Sequence, residues 1–158
     1  MQGGDEVSGL REKLPQLIPL AIEWAERVSA EAAASGAALD AAALRIARQV
    51  GVVEAERVRI AVPPTMPYPE HPLLRAAAIQ TGMLGPTMAG LTLGHTIFLR
   101  TGPHPVRLVS HELRHVAQYE AAGSIGAFLR MYLAQIIHFG YEDAPYEVDA
   151  RSHEVRDS

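Results

Sequence analysis

A chain of 158 residues, 48% hydrophobic and 20% charged, has the size of one domain with a core of its own and leaves little room for a second. Its formal net charge of -4, with scattered arginines and Lys13 as the only lysine, argues against a nucleic-acid-binding surface. The absence of cysteine excludes disulfides and thiolate ligands, so any metal has to be held by His, Asp or Glu.

The first twelve residues, MQGGDEVSGLRE, are polar and glycine-rich and read as a flexible lead-in. Beyond them Leu14, Leu17, Ile18, Ala21, Ile22, Ala25 and Val28 recur at three-and-four spacing, predicting an amphipathic helix that ends before Gly36. Its apolar run is broken by Glu23, Glu26 and Arg27, which is wrong for a signal peptide and too charged for a membrane span. The expectation is a cytoplasmic protein without a membrane span, non-classical export being the one other route. Asp40 then has the chemistry of a helix N-cap, with Leu44, Ile46, Ala47 and Val50 following and Gly51 as the stop.

VRIAV, residues 58 to 62, reads as a short strand stopped by Pro63 and Pro64, and PPTMPYPEHP as an irregular loop. A brief helix over Leu73 to Gln80 is followed by the glycine turns of TGMLGPTMAG. LTLGHTIFLR then predicts one strand at about 92 to 100, half-buried by its alternation. Pro105 suits the first turn of the next helix, which runs to Ala122 with Gly123 as its stop. SIGAFLRMYLAQIIHFG predicts a further helix, apolar on most sides and therefore buried, and Pro145 opens a charged helical segment at the C-terminus.

The chemistry sits in VSHELRHVAQYE, residues 109 to 120. Residues four apart lie about 40° apart around a helix, so His111 and His115 project side by side and can share one tetrahedral ion. Glu112, offset by about 100°, can take a proton from a water that the ion acidifies without binding the ion itself. Val106, Val109, Leu113 and Val116 form an apolar stripe away from the histidines, and Arg107, Ser110 and Arg114 a solvent-compatible strip.

A third ligand has to come from elsewhere. Gln118 and Ala121 stand where the metzincin pattern needs glycine and histidine, which excludes that class. Among the downstream donors Glu147 is favoured, since it lies in the first turn after Pro145 with small Ala150 on the same face. Asp149 and then His138 are the alternatives, while His153 and Glu154 read as a solvated face near the terminus.

LTLGHTIFLR, LVSHELRHVAQYE, an apolar helix and PYEVDA together resemble the gluzincin-type zinc metallopeptidases, in particular their compact members and related bacterial peptidase domains of uncharacterised substrate. The resemblance covers about residues 57 to 152. It implies Zn2+ held by His111, His115 and Glu147, Glu112 as general base, and a cleft lined by the strand around His95 to Arg100. One departure is Arg151, where many gluzincins carry an aspartate that orients a zinc-binding histidine; Asp149 is the nearest substitute.

If that strand is a sheet edge, an extended peptide can pair with it. Tyr119, Tyr141, Tyr146 and His138 are the candidate donors to a developing oxyanion. The sequence thus predicts a single α+β domain, mostly helical and zincin-like, with a small sheet packed over a central metal helix. It predicts a zinc-dependent metallopeptidase acting on a peptide or protein substrate. The competing reading is a non-catalytic scaffold, marked by a fourth protein ligand or an N-terminal helix that plugs the cleft.

Overall fold

The computed structural model describes residues 2–85 and 88–156, with side chains from Gly9 onward. The fold is α+β. Six α-helices surround one small mixed sheet: α1 (Gln2–Ala33), α2 (Ala41–Gln49), α3 (Pro72–Thr81), α4 (Val106–Ala122), α5 (Ile125–Phe139) and α6 (Pro145–Ser152). The strands are β1 (Ala37–Ala38), β2 (Arg59–Ala61), β3 (Gly90–Leu93) and β4 (Thr96–Leu99), in the spatial order β1-β2-β4-β3. β2 and β4 are parallel, while the two outer pairings are antiparallel.

Local signals set most of the helix ends. Asp40 caps α2 by accepting the Ala43 N–H at 2.8 Å, and Ser124 caps α5 by accepting that of Ala127 at 3.0 Å. Gly123 ends α4 at φ 100°, a left-handed conformation that any Cβ would oppose.

Four expectations are corrected. The N-terminal segment is helical from Gln2 rather than flexible to residue 12. Leu10 gives this turn a hold in the core at 8% exposure, and Glu12 and Lys13 are good helix formers that outweigh the local glycines. LTLGHTIFLR is not one strand but a hairpin, turned at Gly94, whose φ is 66°. Nor is its second half a sheet edge: β4 is central, and Thr96 to Leu99 are all at most 3% exposed. The period of two survives, but both faces are covered. Phe98 enters a core built with α1 and α5, whereas Ile97 and Leu99 enter one built with α2 and α4. Finally, α5 is not wholly buried; Met131 and Phe139 are about half exposed, while the stripe of Phe128, Leu129, Tyr132 and Ile136 is buried in the core.

α4 lies against the sheet with Leu113 and Val116 fully buried. Its far end is pinned by Glu120, whose two carboxylate oxygens accept the backbone N–H groups of Val53 at 2.7 Å and Glu54 at 2.9 Å. His95 closes on the same carboxylate at 2.9 Å, so the β3–β4 turn, the loop after α2 and the end of α4 are tied at one point. Burial opposes the charged form of Glu120, but the Val53 N–H and His95 outweigh it and hold the carboxyl below its ordinary value. Being depressed, this group contributes stability above the ordinary carboxyl value of about 4.3 and loses it as the pH falls through its own lowered value. Glu120→Ala is therefore expected to cost about 1–3 kcal/mol at pH 7. The gap between variant and parent in thermal unfolding should narrow below about pH 4; a constant gap would mean that the carboxylate charge is irrelevant.

Among the described residues no helix is long and apolar enough to cross a membrane.

Candidate metal centre

The register of α4 puts His111 and His115 one turn apart on one face, ring centroids 4.9 Å apart. α6 crosses that face, and the complete burial of Ala150 lets the two helices come close enough for Glu147 to reach both rings. Glu147 Oε1 lies 3.2 Å from His111 Nε2, and Oε2 lies 3.0 Å from His115 Nε2. One donor atom from each of the three residues falls within 4.8 Å of the others. An ion about 2.0–2.1 Å from each of three tetrahedral donors would separate them by roughly 3.3 Å. Both spacing and donor chemistry thus fit a divalent transition metal such as zinc.

The other ring nitrogens decide which face each histidine presents. Gln118 donates its amide to Asp149 Oδ2 at 2.8 Å and to the Tyr146 carbonyl at 2.9 Å, groups that can only accept. Its oxygen is thereby turned to His115 Nδ1, 2.7 Å away, which must donate; Nε2 is left for the ion. At His111 the same part is played by Glu154, whose Oε2 accepts from Nδ1 at 2.8 Å. Val155 N–H donates to the buried Ser110 hydroxyl at 2.8 Å and docks this tail on α4. Tyr132 donates its hydroxyl to Glu147 Oε2 at 2.5 Å, fixing the carboxylate from behind.

Several candidate residues take other roles. Asp149 is bound by Arg114 at 2.8 Å and by Gln118, and acts at one remove on His115 instead of joining the trio. His138 is exposed and outside the cluster. Glu154 is not a solvated end but a partner of His111, and Ser110 is not on a solvent strip but fully buried. Tyr119 donates to the Thr92 carbonyl at 3.1 Å and so is engaged away from the trio, while the Tyr146 ring stacks on Phe128. Tyr132, Thr92 and Gly90 were not singled out by the sequence reading. Gln118 carried a legible signal, one turn from His115 on the same helix face.

Burial, the largest influence on His111, disfavours its charged form, yet the bond to Glu147, the charge of Glu112 and the bond to Glu154 together raise it to about 9. His115 is likewise raised, burial again being outweighed by Glu147 and Glu112. Burial opposes ionisation of Glu147 as well, but its bonds to the two histidines hold it far below the carboxylate range. Protons and a divalent cation thus compete for the same ring nitrogens, so binding of the cation would release protons. A second group, Glu54, His95 and Glu120, also falls within metal-ligand distance, but both Glu120 oxygens are already committed to backbone N–H groups.

Glu112 is 6% exposed and outside the trio, held by the Thr92 hydroxyl at 2.9 Å from Oε1. The edge strand β3 passes directly over it. A Cβ on Gly90 would lie 3.0 Å from Glu112 Cγ and 3.1 Å from Cδ, so any larger residue there would press the carboxylate aside by a few tenths of an ångström. A polar mouth of about 660 Å³ opens the site to solvent, bounded by Met88 to Gly90, Arg107, Tyr141, Arg151 and Glu154, with His111, Glu112 and Glu147 at its floor.

Two outcomes follow from these contacts. Glu154→Ala should weaken zinc binding by about 10- to 100-fold in competition with a chromophoric chelator, since an unanchored ring loses its orientation. An unchanged affinity would make the Glu154 contact incidental. Gly90→Ala should leave metal affinity intact and, where the site is catalytic, lower turnover by about 10- to 100-fold through displacement of Glu112; undiminished turnover would show that the carboxylate has room to move.

Comparison with known proteins finds no match to the chain: no protein-family model, no curated protein and no solved structure.

Proposed function

We propose that the protein is a zinc-dependent metallopeptidase of gluzincin type, with His111, His115 and Glu147 as ligands and Glu112 as general base. The observation that carries this reading is the division of labour at the floor of one open mouth. Three donors converge, while a fourth acidic group, Glu112, is tethered by Thr92 and left out of the donor set. A structural zinc site normally closes its fourth position with protein, whereas a catalytic one keeps it open. Among the described residues no fourth ligand joins the trio, and α1 does not line the mouth.

A bound zinc would supply Lewis acidity, polarising the scissile carbonyl and lowering the pKa of water beside it. The chain's own residues provide the rest. Glu112, near the trio but not part of it, would take the proton from the attacking water and pass it to the leaving amine. Thr92 keeps that carboxylate in one orientation. β3 is the edge of the sheet, with no strand on its outer side among the described residues, and from Gly90 onward it offers an edge against which an extended peptide can align over Glu112. Tyr141 borders the mouth; burial, then the charges of Glu147 and Glu112, raise its pKa, so its phenol stays protonated and able to donate to a developing oxyanion.

The test is a mixed peptide pool digested by zinc-loaded protein and read by mass spectrometry. Products should appear with zinc, vanish with a chelator and return when zinc is restored. A zinc-replete protein that leaves every peptide intact would overturn the assignment in favour of a scaffold.

A further inference from the structure

His111 is held from both sides by carboxylates that α6 and the segment after it bring across α4. Glu147 faces Nε2 at 3.2 Å, and Glu154 Oε2 accepts from Nδ1 at 2.8 Å. Glu147 sits within a helix, but Glu154 lies just beyond the end of α6 and needs an anchor of its own. Arg107, its ion-pair partner on the rim, stands 3.6 Å away with a side chain 65% exposed, too weak a contact to fix a carboxylate.

The anchor is Ser110. It precedes His111 on α4, is turned about 100° away from it and stands outside the donor set. Although fully buried, its hydroxyl is satisfied twice over. It donates to the Arg107 carbonyl at 3.0 Å, which commits its one proton and leaves the oxygen to accept. The Val155 N–H fills that place at 2.8 Å, and the Val155 side chain packs on the core shared by α2 and α4. On the other side the N–H of Glu154 donates to the Arg151 carbonyl at 3.2 Å. Glu154 is thus pegged at both of its peptide bonds, in the register that brings its carboxylate to the ring.

We infer that residues 153–156 form a strap coupled to the metal centre, with Ser110 as the positioning residue that catches it. Docked, the strap holds the His111 ring in the orientation that presents Nε2 to an ion; undocked, it leaves the ring free to turn. Coupling of this kind is reciprocal, so an ion on His111 also tightens the strap. The inference rests on the metal centre of the reading above and not on peptide cleavage.

The test is made on the full chain and reads zinc binding, not turnover. Zinc affinity is measured by competition with a chromophoric chelator in the parent, Ser110→Ala, Glu154→Ala and the double variant. Ser110→Ala is expected to bind zinc about tenfold more weakly, and the double variant no more weakly than Glu154→Ala, because Ser110 acts through that carboxylate. An unchanged affinity in Ser110→Ala, or losses that add in the double variant, would overturn the inference. Should Ser110→Ala fail to fold, Val155→Pro removes the donor of the same bond and is held to the same two outcomes.

In a second measurement, hydrogen exchange at the Val155 amide is followed with and without zinc. It is expected to slow by about tenfold on zinc loading in the parent and not in Glu154→Ala. Equal exchange with and without zinc in the parent, or equal slowing in Glu154→Ala, would show that strap and ion are uncoupled. A parent that takes up no zinc would overturn the metal centre and the strap together. A parent that binds zinc and shows both couplings but cleaves no peptide would overturn the peptidase reading alone and leave this inference standing.

Discussion

Glu112→Gln is expected to lower peptide turnover by about 10³-fold while zinc content stays at its parental level. Glutamine keeps the shape of the side chain and retains an oxygen to accept the Thr92 hydroxyl, so the 2.9 Å contact that orients Glu112 survives. What it loses is the capacity to take a proton. The donors that would hold zinc are untouched, because Glu112 is not one of the three converging groups. Turnover and zinc content measured on one preparation check both halves. Substantial activity in the variant would move the base to another residue, and loss of zinc would mean that Glu112 belongs to the ligand set after all.

Glu147→Ala is expected to empty the site: about one zinc per chain in the parent, as a tetrahedral three-residue site implies, and essentially none in the variant. The substitution removes the carboxylate that bridges both rings and leaves the Tyr132 hydroxyl without its acceptor. A buried hydroxyl so orphaned costs about 1–3 kcal/mol, so thermal unfolding should also shift downward in metal-free protein. Asp149→Ala makes the discriminating control. Its carboxylate holds Arg114 and Gln118 rather than the trio, so that variant should keep zinc with reduced affinity. Zinc retained in Glu147→Ala and lost in Asp149→Ala would reverse the two assignments.

Much of the fold was legible because it is written locally. The three-and-four spacing of Leu113 and Val116, the proline at 145 and the glycine at 123 each act within a few residues, and they delimit α4 and α6 closely. The face shared by His111 and His115 follows from helix geometry alone. The β3–β4 hairpin was not legible in the same way. Gly94 looks like one glycine inside a continuous β-rich run, and only tertiary packing reveals that β4 is buried on both faces. Contacts supporting the metal ligands fared worst. Glu154 reaches His111 from 43 residues away, and Tyr132 reaches Glu147 from the opposite side of a helical hairpin. No periodicity encodes such meetings; they depend on where α5 returns the chain.

The placement of the donors also bears on how the chain reaches its folded form. His111 and Glu147 are 36 residues apart, separated by the whole of α5, so an ion joining them would close a loop of that length. A covalent link across such a loop restricts the unfolded chain by about 4 kcal/mol in a chain-entropy estimate, and a tightly held ion acts in the same sense. α5, α6 and the tail that carries Glu154 would then be fastened by a single reversible cross-link. Availability of the ion would govern both when this stretch becomes committed to its native topology during folding and how readily a protease finds it open afterwards.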